Sequence, residues 1–100
     1  MLKKDLIRLC MLHLLTGQDR YGYEMLEFLH NAFPETQESA IYAVLRGLSK
    51  DKLAESYLGD TSAGPARKYY RITSHGKEEY ERLLAQWRQL KAAVAELGVE

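Results

Sequence analysis

The spacing of apolar residues changes twice along this chain, and those changes restrict its architecture more than any other feature. Ile41, Val44, Leu45 and Leu48 recur at i, i+3, i+4 and i+7, one stripe of an amphipathic helix. Past residue 51 the helical period stops. Leu53 to Leu58 and Arg67 to Ile72, the second rich in Tyr, read as two short strands. Gly59-Asp60-Thr61-Ser62-Ala63-Gly64-Pro65 between them is turn composition throughout and predicts a hairpin with a loose tip. From Thr73, a plausible N-cap, the helical period returns and runs to about Leu97. At 1.5 Å per residue that last helix is roughly 36 Å long, more than so small a domain requires.

Two further helices precede the stripe at residue 41. The first spans about Leu2 to Leu15, and its apolar residues cover more than one face, as in a helix buried on most sides. Thr16-Gly17-Gln18-Asp19 ends it. The second is expected to start near Arg20 with Asp19 as N-cap and to stop near His30, ahead of Phe33-Pro34. The third begins after Thr36 or Gln37 and runs to about Lys50. The expected fold is therefore mainly α with a small β-hairpin: a winged helix-turn-helix over residues 1–73, and a long C-terminal dimerisation helix over 74–100 in the same compact unit. In such a fold the third helix enters a DNA major groove and the hairpin lies beside it.

Chemistry-bearing constellations are few. His13, His30 and His75 are scattered, and none sits at metal-ligand spacing from a Cys, His or carboxylate. There is no phosphate-binding glycine loop, nucleophile elbow or Cys-x-x-Cys pair. Neither an enzyme nor a cofactor or metal is expected. Cys10, the lone cysteine, excludes an internal disulfide and fits a reducing cytosol. No apolar run approaches the ~20 residues of a membrane span, and the charged N-terminus lacks secretory-signal character, so a cytoplasmic location is expected.

Binding is better represented. Fourteen basic and fourteen acidic side chains cancel, which excludes a globally cationic nucleic-acid binder but not a local patch. Arg67, Lys68 and Arg71 form such a patch without an intervening acid. Alternation places Lys68, Tyr70 and Ile72 on one face of the strand and Arg67, Tyr69 and Arg71 on the other, with Tyr70 inward. The outward side of the third helix offers Gln37, Glu38, Ser39, Tyr42 and Arg46 around the small Ala43, groups suited to base edges and phosphates. Tyr23, in the first turn of the second helix, can add a phosphate contact. Glu38 and the zero net charge favour the alternative, a winged-helix protein-interaction module without DNA binding.

In the last helix Tyr80, Leu83, Leu84, Trp87, Leu90, Val94 and Leu97 recur at steps of three and four, close to the 3.5-residue period of paired helices. With no spare element to cover them, Leu83, Trp87, Leu90, Val94 and Leu97 are expected to pack on the first and last helices of a second copy.

Tyr21-Gly22-Tyr23-Glu24, Ser39-Ala40-Ile41-Tyr42-x-x-Leu45-x-x-Leu48, Leu53-Ala54-Glu55-Ser56 and Gly64-x-x-Arg67-Lys68-Tyr69-Tyr70-Arg71-Ile72-Thr73-x-x-Gly76 together resemble the PadR family of bacterial transcriptional regulators. The single terminal helix is similar to the short-form subfamily. The resemblance implies a homodimeric, ligand-responsive repressor of detoxification or multidrug-export genes, binding a pseudo-palindromic double-stranded operator. It implies DNA contacts at Tyr23, at Tyr42 and its neighbours, and at Arg67 and Lys68, and a planar aromatic effector stacking at Trp87. Two positions depart from the family pattern: Ala43 stands where proline is common, and Lys52 where glycine usually precedes the first wing strand.

Overall fold

The computed structural model describes residues 1–59 and 64–100. The elements in chain order are α1 (Lys3–Gly17), β1 (Arg20–Tyr21), α2 (Gly22–Ala32), α3 (Glu38–Lys50), β2 (Ala54–Gly59), β3 (Arg67–Ile72) and α4 (Ser74–Glu96). The strands form one antiparallel sheet in the order β1-β3-β2, with Tyr57 and Tyr21 both opposite Tyr69. The tip of the expected hairpin, residues 60–63, lies outside the described residues.

The apolar breadth of α1 follows from its position at the centre. It packs on α2, α3, β3 and the first half of α4, burying Ile7, Leu9, Met11, Leu12 and Leu15. The α3 stripe meets it with Ile41, Leu45 and Leu48, Val44 being half-buried, and Tyr70 closes the core from the sheet as alternation required. Leu83 of α4 is fully buried in this same cluster. Its expected role at an interface between copies is thereby corrected: no surface of Leu83 is left for a partner. The complement expected from a partner's first helix is likewise supplied, up to about Trp87, by the chain's own α1.

The start of α2 also differs from expectation. Arg20 and Tyr21 are strand, paired with Tyr70 and Tyr69, and the helix begins at Gly22 with Tyr21 in the N-cap position. Asp19 caps nothing, because its carboxylate accepts from the Tyr57 hydroxyl at 2.6 Å and lies 3.4 Å from Arg71 Nε. Two residues of strand are too short to carry a period.

The wing is tied to the body at the junction of α3, β2 and α4. Thr73 Oγ1 donates to the Lys52 carbonyl at 2.7 Å and accepts from Gly76 N–H at 2.9 Å, so one hydroxyl fastens the α3–β2 turn and caps α4. Gly76 is pressed against the Leu53 carbonyl and the Ile72 side chain, where a Cβ would overlap both. Lys52 adopts the left-handed conformation (φ 59°) usually left to glycine.

Candidate nucleic-acid interface

Burial of Ile41, Leu45 and Leu48 turns Gln37, Ser39, Tyr42 and Arg46 of α3 into solvent, together with Glu38 and Ala43. The Arg46 guanidinium lies 5.2 Å from the centroid of the Tyr42 ring one turn earlier, so cation and ring sit together on the exposed face. Gly22 lets the first turn of α2 sit against the Tyr70 ring and Leu45, which brings Tyr23 (67% exposed) alongside α3. From the sheet, Arg67 sits 4.9 Å from the Tyr21 ring and Lys68 Nζ 5.7 Å from the Tyr70 ring.

These residues converge. Tyr23, Tyr42, Arg67 and Lys68, from α2, α3 and the wing, line one concavity of about 220 Å³ whose floor is Leu26, Leu45 and Tyr70. Arg46 joins it through Tyr42. Gln37 and Ser39 stand at the other end of α3, beside a second hollow formed by Tyr23, Glu27, His30 and Glu38. The surface is thus polarised, acidic where α3 begins and basic toward the wing.

Its charge is set by how the cations are partnered. Arg8 pairs with Glu79 and Asp51, Arg20 with Glu24, Arg82 with Glu79, and Arg71 with Asp19 and Glu55. Hydrogen bonding to Asp19 raises the pKa of Arg71, and bonding to Arg82 holds Glu79 below the usual carboxylate range. Arg46, Arg67 and Lys68 instead rest on aromatic rings, with no carboxylate within ion-pair distance among the described residues. A ring orders a cation without neutralising it. A chain of zero net charge therefore keeps positive charges at this surface, available to phosphates.

A third concavity, about 320 Å³ and almost wholly apolar, opens between α1, α2 and α4. Leu9, Cys10, Phe28, Phe33 and Leu84 line it, Trp87 forms part of its wall, and His13 Nδ1 and the Tyr80 hydroxyl are hydrogen-bonded at 2.8 Å beside it. Burial pushes the Cys10 thiol up, which makes it a poor nucleophile. Beyond Trp87 the apolar stripe is uncovered: Leu90 is 40%, Val94 43% and Leu97 85% exposed. Sequence reasoning missed the cavity because its walls come from three helices at separations no local period reveals. It placed Tyr21 in the second helix rather than in the sheet because β1 is so short.

Three helices with a winged sheet, an exposed third helix and ring-seated cations beside it define a winged helix-turn-helix protein suited to holding a polyanion. A model of the transcriptional regulator PadR-like family matches residues 11–82. The chain belongs to that family, which makes it a DNA-binding transcriptional regulator. An uncharacterized protein of Lysinibacillus sphaericus is 38% identical over 102 residues, covering 94% of this chain and 93% of that one. Among solved structures, a PadR-like transcriptional regulator from Bacillus cereus superposes with a TM-score of 0.81 at 34% identity, over 92% of this chain and 90% of that chain. A PadR family transcription regulator from Clostridium difficile does so with a TM-score of 0.78 at 28% identity, over 91% and 96%. No described helix is long and apolar enough to cross a membrane, and no group of three or more metal-capable side chains occurs among the described residues.

Proposed function

We propose that this regulator is a cytoplasmic homodimeric repressor that binds a pseudo-palindromic operator and releases it when a planar aromatic molecule occupies the α1–α2–α4 cavity. In each protomer α3 reads one major groove through Gln37, Ser39, Tyr42 and Arg46, while Tyr23, Arg67 and Lys68 hold the flanking backbone. The carrying observation is the convergence of Tyr23, Tyr42, Arg67 and Lys68 on one groove whose cations have no carboxylate partner among the described residues.

Dimerisation joins the uncovered stripe of α4, Leu90, Val94 and Leu97, to the same stripe and the cavity rim of a second copy, with Trp87 at the centre. A cavity of this volume and apolarity suits a small flat ligand stacking on Trp87. Because that ligand would touch both copies, it would alter the separation of the two α3 helices, and operator binding would respond through its differential affinity for the two arrangements. Detoxification or export genes are the regulated class this ligand chemistry suits.

The test is a titration against a duplex selected from a randomised pool, at several salt concentrations. The wild type should lose affinity steeply with salt, and Arg67→Ala/Lys68→Ala should weaken binding and flatten the slope by about two without affecting dimerisation. An affinity indifferent to salt would refute the electrostatic reading.

A further inference from the structure

The outer face of the wing carries a row of neighbouring tyrosine rings that the reading above does not use. Tyr21, Tyr69 and Tyr57 lie in register across the three strands. Tyr57 and Tyr69 are stacked at 5.8 Å with 19° between their planes, and Tyr69 and Tyr21 are 6.0 Å apart. A Cβ on Gly59 would come within 2.5 Å of the Tyr69 ring, so that ring is seated over Gly59, the register partner of Arg67.

The two ends of the row differ. At one end Arg71 lies 4.9 Å from the Tyr57 ring, but its charge is taken up by Asp19 (3.4 Å) and Glu55 (3.9 Å), and Tyr57 itself donates to Asp19 at 2.6 Å. This end is an anchor, tying the wing to the turn between α1 and β1. At the other end Arg67 lies 4.9 Å from Tyr21, with no carboxylate within ion-pair distance among the described residues. Among the described residues, this end has only the Tyr21 ring as a partner for its charge.

We propose that Asp19, Tyr57 and Tyr69 are positioning residues for the DNA contact of Arg67. A two-stranded ribbon is weakly ordered by itself, and a long cationic side chain loses rotamer freedom on docking. Anchoring the ring row to the body holds Tyr21 in place, and Tyr21 holds the guanidinium before DNA arrives, so less ordering remains to be done on binding. The sign of the consequence is opposite to simple electrostatics: removing the anion at Asp19 lowers DNA affinity. The inference rests on Arg67 touching DNA, so its test includes Arg67→Ala.

Binding of the selected duplex is measured by fluorescence anisotropy across salt for Arg67→Ala, Tyr57→Phe, Asp19→Ala and Tyr57→Phe/Arg67→Ala, with thermal melts checking that each variant folds. Tyr57→Phe keeps the ring and alters no charge at neutral pH. It should weaken binding about two- to fivefold, the scale of one ordered cation–ring contact, and move the salt slope toward that of Arg67→Ala. The double variant should bind no worse than Arg67→Ala alone. Additive losses in the double variant, or tighter binding by Asp19→Ala, would overturn the positioning role while leaving the Arg67 contact intact. An Arg67→Ala protein that binds like the wild type would overturn both.

Discussion

Two substitutions, one in α4 and one at its C-cap, test whether the fold and the proposed dimer rest on different parts of that helix. Leu83 is fully buried within its own chain and Leu97 is 85% exposed. Leu83→Ala removes three carbons from a closed core and should cost about 2–5 kcal/mol of folding stability. Leu97→Ala removes the same three carbons, each worth about 0.8 kcal/mol when buried. If a partner covers that surface, the loss is about 2 kcal/mol per protomer. A two-fold interface repeats it, giving about 4 kcal/mol per dimer and close to a thousandfold in dimer Kd. Sedimentation equilibrium reads the Kd, and urea melts at two protein concentrations separate chain stability from association. The reasoning is refuted if Leu97→Ala lowers the urea midpoint of dilute protein as much as Leu83→Ala does, or leaves the dimer Kd unchanged.

Three further outcomes follow from particular contacts. Lys52→Gly should stabilise the fold by about 0.5–1 kcal/mol, the relief of a left-handed lysine less the entropy glycine adds to the unfolded chain, and raise Tm by a few degrees in a calorimetric scan. Bonding to Arg82, with Arg8 nearby, lowers the Glu79 pKa from its ordinary 4.5. Its stabilisation is therefore complete above that value and lost as pH falls below it, so Glu79→Gln should flatten the acid limb of a stability–pH curve measured by urea melts. Flat aromatic compounds should quench Trp87, the only tryptophan, and release the operator at the concentrations that quench.

The helices and the hairpin were legible because each has enough residues to display a period. The α3 stripe at residues 41–48 and the β3 alternation placing Tyr70 inward match the observed burial, and Thr73 caps α4 as its hydroxyl suggested. What was not legible depended on contacts distant in sequence. Asp19 reads as an N-cap by composition, yet Tyr57, 38 residues away, claims its carboxylate. Leu83 and Leu97 are indistinguishable within the α4 stripe, and only the reach of α1 decides that one is core and the other surface. Lys52 shows that backbone strain can be held by neighbours: Thr73 anchors its carbonyl, and its own N–H donates to the Ser49 carbonyl at 3.1 Å. At the interface, the cationic strand was visible in sequence, but the pairing of each cation with a ring or a carboxylate was not.

The most direct measurement is a hydroxyl-radical footprint on the selected operator, with stoichiometry from sedimentation. Two protomers per duplex should protect two symmetric patches centred one helical turn, about 34 Å, apart, and Leu97→Ala should erase both together at concentrations below its raised dimer Kd. One protected patch holding one protomer at full affinity would contradict the account.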